Sequence, residues 1–235
     1  MMVLVLLPLL VSLGFWQLER AQQKRAIQQA YLERVELEAV QISAARLDPT
    51  VQEFRRAEVH GVYEPEYQVL LDNRVYQGKA GYHVITPFRI DGATTRILIN
   101  RGWIPWGVDR QRLPKINTPN GNMLLRGRLR RPPERYFSLE NEAASTNFQI
   151  LWQNLNLSRY QKLVDFPVQP LVLELDPNET ENGDFVRQWP TFQDGWVERH
   201  RGYAFQWFAL ATALVLIYVI VNLQRRKVRQ SNLSL

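Results

Sequence analysis

Two stretches near the ends of the chain are mostly apolar and carry no charge, and the region between them alternates on two different periods. Tyr203 to Leu223 holds 21 consecutive residues without a charge. As an α-helix this run spans about 31 Å, the hydrocarbon thickness of a bilayer. Tyr203, Trp207 and Phe208 gather at its first end, and Arg225, Arg226, Lys227 and Arg229 close the other. Aromatic rings suit the headgroup boundary and a basic flank suits the cytoplasmic side. The pattern predicts a transmembrane helix over 200–224 followed by a basic cytoplasmic tail, 225–235. Residues 1–18 predict a second span, about 27 Å long if helical, with Trp16 at its interfacial end. No basic segment precedes it and Gly14-Phe15-Trp16-Gln17 is not a small-x-small cleavage site, so the expectation is an uncleaved anchor.

Beyond the first span, residues 16–45 contain neither Gly nor Pro and are dense in Gln, Glu, Arg, Ala and Leu. Good helix formers, with Ile27, Tyr31 and Arg34 with Val35 at helical spacing as a narrow apolar stripe on a charged rod, predict that the helix continues to about Ala45, before Asp48-Pro49. The period then changes. Phe54–Tyr63, Gln68–Tyr76, Tyr82–Ile90, Thr95–Ile104, Met123–Arg131 and Val168–Leu175 are short runs rich in β-branched and aromatic residues. They are punctuated by Gly61, Asn73, Gly78, Gly81, Asp91-Gly92, Gly107, Pro114 and Asn120-Gly121, which predicts an antiparallel sheet or partly closed barrel. Asp91-Gly92 is the clearest hairpin turn. Ser158 to Asp165 reads as a short helix capped by Ser158, and 179–184 as an acidic loop. The fold class is therefore membrane α+β, with two spans flanking a β-rich domain over 46–199.

Charge changes this picture by setting its orientation. The formal charge is +6, but the four basic residues beyond the last span account for most of it. Without them 25 basic residues face 23 acidic ones, so the domain presents no basic face for nucleic acid. Arg20, Lys24 and Arg25 after the first span favour the opposite orientation. The second span governs, because its asymmetry is immediate and a long intervening segment translocates largely regardless of charge. The domain is then expected outside the cytoplasm and the C-terminus within it.

The absence of cysteine excludes a disulfide framework, a thiolate nucleophile and Cys-ligated metal or cluster sites. The three histidines, His60, His83 and His200, never fall at metal-ligand spacing, and no nucleophile elbow or phosphate loop is present. These counts favour a protein that is not an enzyme.

Two groups of residues remain as candidate chemistry. His200, Ala204, Trp207 and Ala211 share one helix face. Its two alanines suggest a flat trough able to take a tetrapyrrole, with His200 as a single axial ligand and Arg199 and Arg201 at the water boundary for propionates. The competing reading makes His200 an interfacial polar residue within an aromatic belt. The second group is Asn100-Arg101-Gly102-Trp103-Ile104-Pro105-Trp106. Arg101 and Trp103 form either a docking surface or propionate clamp, or a strand end with tryptophans over the core edge. His60 and His83 read as ordinary strand histidines. Arg126 to Arg135 is either a headgroup contact or a solvated strand and turn.

Three segments together resemble one family, the Surfeit locus protein one family of cytochrome c oxidase assembly factors. They are Gly14-Phe15-Trp16-Gln17-Leu18-Glu19-Arg20 with Lys24; Leu71-Asp72-Asn73-Arg74 with Gly78, Gly81-Tyr82 and Thr86-Pro87, followed by Ile99 to Pro105; and His200 to Leu210. The resemblance implies a membrane-bound biogenesis factor for haem-copper oxidases, with both termini inside and the middle domain outside. It implies haem a as a transiently bound group with His200 as its ligand. It also implies oxidase subunit I, other assembly factors and the haem a synthesis machinery as partners, beside membrane lipid. With no transit sequence, the expected location is a bacterial inner membrane. A scaffold that stabilises an oxidase intermediate without binding haem is the alternative.

Overall fold

The computed structural model describes residues 2–107, 112–133, 148–179, 184–189 and 196–231. Arg135, residues 180–183 of the acidic loop and the last four residues of the tail lie outside them. The chain divides into two compact units, Met1–Ala30 with Pro190–Leu235, and Tyr31–Trp189.

The first unit is a pair of long helices, α1 (Met2–Val35) and α4 (Trp196–Ser231). Both contain windows long and apolar enough to cross a bilayer, and only 6% and 11% of those windows are buried. A core helix of a soluble protein buries its apolar surface, whereas these leave Leu4, Val5, Phe205, Leu216 and Ile217 more than half exposed, as lipid contact requires. α4 begins four residues before His200 and continues through the basic flank, so the tail is helical to Ser231.

α1 ends at Val35, ten residues short of the expected limit at Ala45. Tertiary pairing overrides helix propensity there. Val40–Gln41 forms β1, which pairs in parallel with β2 (Arg56–Tyr63) and places Val40 opposite Ala57. The Ile42 amide donates to Glu58 O at 2.9 Å, the Arg55 guanidinium donates to Glu38 O, and the Ile42 side chain enters the core. A buried isoleucine and a ladder contribute more than a further helical turn exposed to water.

The second unit is an eight-stranded sheet that closes on itself. Its strands include β3 (Val69–Tyr76), β4 (Lys79–Ile90), β5 (Arg96–Pro105), β6 (Met123–Arg130), β7 (Leu151–Trp152) and β8 (Val168–Leu175), in the order β1-β2-β6-β8-β5-β4-β3-β7. A further β2–β4 pairing closes a barrel of five strands, β2, β6, β8, β5 and β4. The closure is more complete than a partly closed barrel and less uniform than an antiparallel sheet. β5–β8, β1–β2 and β3–β7 are all parallel.

Closure depends on the long strand β4, whose first half pairs with β3 and whose last residues pair with Gly61–Tyr63 of β2. Gly61 therefore lies inside a strand rather than between strands. A Cβ there would meet Arg89 O at 2.0 Å, so only glycine permits the approach. Asn73 and Gly81 also lie within strands, whereas Asp91-Gly92 turns the β4–β5 hairpin as expected.

β2 alternates exposure along its length, and Ala57, Val59 and Tyr63 point into the barrel with Phe88, Ile97, Ile99, Leu125, Leu129 and Leu173. β5 is buried on both faces. Ile97 and Ile99 face the barrel, while Leu98 packs under Trp152, Tyr160 and Phe166. A single helical turn, α2 (Pro49–Gln52), precedes β2, and the second layer includes α3 (Leu157–Leu163). Its cap is Asn156, whose side chain accepts from the Arg159 amide at 2.9 Å, so Ser158 sits in the first turn instead.

Candidate functional site

On each terminal helix the least exposed positions recur at steps of three and four. They are Gly14, Gln17 and Ala21 on α1, and Val197, His200, Ala204, Trp207 and Ala211 on α4. Such a repeat keeps one seam facing a partner helix over its length. Small side chains let the backbones approach: a Cβ on Gly14 would meet the Phe208 ring at 2.6 Å. The Phe208 ring also meets Phe15 edge-to-face at 5.4 Å. Gln17 adjoins His200 while Gly14 adjoins Phe208, so the helices run antiparallel.

Among the described residues the seam shows one polar side-chain contact between the helices. Nδ1 of His200 lies 2.7 Å from Oε1 of Gln17. A carboxamide oxygen only accepts, so the ring donates through Nδ1–H and the lone pair rests on Nε2. Among the described residues no partner holds Nε2. His200 is half-buried, and Arg199 and Arg201 on either side are exposed. A half-exposed imidazole with one nitrogen fixed and the other bearing a lone pair is the donor arrangement of a single axial ligand, so the residues fit haem iron.

The structure alters the rest of the expected cradle. Ala204 is 1% exposed and Ala211 is 5% exposed, because their face is the helix seam. The face expected as a flat trough is covered by protein at both alanines. Trp207 is half-buried, Tyr203 one turn before it is exposed, and Phe205 is exposed on another face of α4. Sequence reasoning did not single out Gln17 as a site residue. Its signal was a lone polar side chain at seam spacing between Gly14 and Ala21, but its partner is 183 positions away.

The structure places Arg101 and Trp103 in the other unit. Pairing of β5 with β4 sets Asn100 opposite Ile85 and Gly102 opposite Val84, leaving Arg101 as the extra residue of a bulge. A bulge re-aims its side chain. The Arg101 guanidinium enters the barrel end, fully buried, 5.0 Å from the Tyr63 ring and 4.6 Å from the Phe185 ring. It donates to Thr118 Oγ1 at 2.8 Å and to Asn117 O at 2.9 Å. Trp103 is 6% exposed and donates through Nε1 to Arg74 O at 2.8 Å. These contacts tie a loop to the barrel end and match the reading as a strand end over the core edge. They offer no accessible anion clamp.

The other candidates are strand residues. His60 is exposed on β2. His83 on β4 packs edge-on to Trp189 and lies 3.3 Å from Asn100 Nδ2 through its Nδ1. Burial, reinforced by the Arg74 charge, pushes its pKa down to about 4, so it is neutral. The arginines of β6 pair across strands. Arg126 meets Glu58 at 3.0 Å, Arg130 meets Glu174 at 3.7 Å, and Arg128 lies over the Tyr31 ring.

Together these observations define a class: a barrel domain bracketed by two helices of membrane-spanning length, whose seam holds one hydrogen-bonded imidazole. The chain belongs to the SURF1 family, whose model matches residues 4–212. A SURF1-like protein of Rickettsia bellii is 24% identical over 221 residues, covering 93% of this chain and 88% of the relative. One of Rickettsia felis is 25% identical over 224 residues, covering 94% and 95%. The cytochrome oxidase assembly protein Shy1 of Saccharomyces cerevisiae is 26% identical over 146 residues, 56% of this chain and 37% of that protein.

Proposed function

We propose that this protein is a cytochrome oxidase assembly factor that holds haem a through His200 at the membrane boundary and delivers it to oxidase subunit I. Family membership and the identity of the yeast relative as a cytochrome oxidase assembly protein support the assembly role. The haem-carrying step rests on one observation, the His200 ring held through Nδ1 with its Nε2 lone pair unengaged. Transfer needs a bond that can be given up, and a single half-exposed imidazole suits release better than a closed two-ligand site.

The chain's own residues divide the work. His200 supplies the ligand atom, the exposed Arg199 and Arg201 suit carboxylate groups at the water boundary, and the exposed Tyr203 and Phe205 offer apolar surface beside them. Antiparallel spans return the chain to the side it left, and the basic flank after Gln224 assigns that side to the cytoplasm of a bacterial cell. The barrel domain then faces the periplasm, where it docks on the oxidase, and no step in this account requires a bond to be made or broken in a substrate.

Coexpression with haem a synthesis tests the proposal through the visible spectrum of the purified protein. Bound haem that disappears in His200→Ala supports carriage. A colourless wild type that still copurifies with subunit I overturns carriage and leaves a scaffold.

A further inference from the structure

We propose that Gln17 is a positioning residue for the His200 ligand: its side-chain oxygen fixes the imidazole as the Nδ1–H tautomer and sets the direction of the Nε2 lone pair. The inference rests on the haem reading for its purpose, but the hydrogen bond that carries it is a property of the protein without haem.

Three observations converge on Gln17. Its Oε1 lies 2.7 Å from Nδ1 of His200, a short contact for a neutral nitrogen donor. It stands on the buried seam of α1, three residues after Gly14 and four before Ala21, so neighbouring packing limits its rotamers. It also reaches His200 from the other helix, so the ring is held between two rigid elements rather than by its own backbone. An imidazole on a single helix keeps its χ2 freedom and both neutral tautomers. Only one tautomer presents a lone pair at Nε2. An acceptor behind the ring raises the electron density at the ligating nitrogen, as outer partners of metal-bound histidines do.

The structural competitor is a register pin. A polar pair in an apolar helix seam specifies which residues face each other, whatever the imidazole does afterwards. Either role fixes the tautomer, and the two separate in the haem readout, because a pin has no reason to make affinity and reduction potential follow the acceptor at residue 17 while the helices stay packed.

The test uses the full chain in lipid nanodiscs with Gln17→Leu, which fills the seam without an acceptor, and Gln17→Glu, which retains one. The first readout needs no haem: ¹⁵N shifts of the His200 ring at a pH where it is neutral. Wild type should show Nδ1 protonated and Nε2 bare, Gln17→Leu should lose that preference, and Gln17→Glu should keep it. The second readout is titration with ferric haem. Gln17→Leu should bind about 10–100-fold more weakly, with a higher reduction potential for whatever binds, and Gln17→Glu should recover the affinity. A wild-type ring protonated at Nε2, or a Gln17→Leu ring with unchanged tautomer and affinity, overturns the positioning role. Full haem binding by His200→Ala overturns the haem reading instead, and the apo spectra then still decide the hydrogen bond. Circular dichroism of each variant shows whether a loss comes from the site or from the fold.

Discussion

The barrel domain and the helix pair each hold a nitrogen-rich side chain at a packing seam, and they treat it in opposite ways. Arg101 is enclosed, with guanidinium donors on a carbonyl and a hydroxyl and aromatic rings near its face. His200 is half-buried, gripped at one nitrogen, and carries a lone pair at the other. Enclosure with the terminal donors engaged makes a polar group structural, because any change strands its partners. Partial satisfaction at a boundary makes it available to a ligand. Under the proposed function, stability depends on the first region and ligand chemistry on the second.

The sharpest way to break this division is Gly61→Val. Its Cβ would overlap Arg89 O, backbone that cannot step aside, so the barrel should lose about 4 kcal/mol or more and its cooperative unfolding transition. Near-UV circular dichroism of the full chain should show lost aromatic packing while helical signal from α1 and α4 persists. Arg101→Met should cost about 3 kcal/mol, leaving Asn117 O and Thr118 Oγ1 without their donor. A lowered denaturation midpoint checks it, and an unchanged midpoint would return Arg101 to the list of ligand contacts.

Acidity probes the same domain with a smaller effect. His83, neutral because its pKa falls to about 4, contributes stability that is complete above about pH 6.5 and is lost as pH falls through 4. Glu174 runs the other way. Burial pushes its pKa up to about 7 despite Arg130 at 3.7 Å, so its contribution is complete below about pH 4.5 and is lost as pH rises through 7. Glu174→Gln should therefore raise the stability at pH 8 by an amount on the order of 3 kcal/mol, seen as a higher melting temperature, and leave it nearly unchanged at pH 4.5. In the helix pair, Gly14→Leu should push Phe208 aside at a cost of about 1–2 kcal/mol. Spin-label distances between α1 and α4 should lengthen while the barrel melts as before.

The two regions also differed in how much of them was legible in the sequence. The spans declared themselves by length and flanks, and the six longer strands by apolar runs between turn residues. β1, Val40–Gln41, was hidden just past a run of good helix formers, in a ladder with β2 that no local pattern announces. β7 is two residues long and exists through its parallel pairing with β3. At the site, His200 was readable as a histidine at a membrane edge, whereas Gln17 was not, because a contact across 183 positions is set by helix packing. The alanines at 204 and 211 were read as room for a ligand. Small residues on a helix face equally mark a neighbouring helix, and here the neighbour is α1.

The most direct measurement is the haem content of the full chain, purified from cells making haem a, for His200→Ala and Arg101→Met side by side. The division of labour predicts that His200→Ala melts like wild type and is colourless, and that Arg101→Met melts earlier yet carries haem below its transition. Haem retained in His200→Ala, or lost from a folded Arg101→Met, would contradict it.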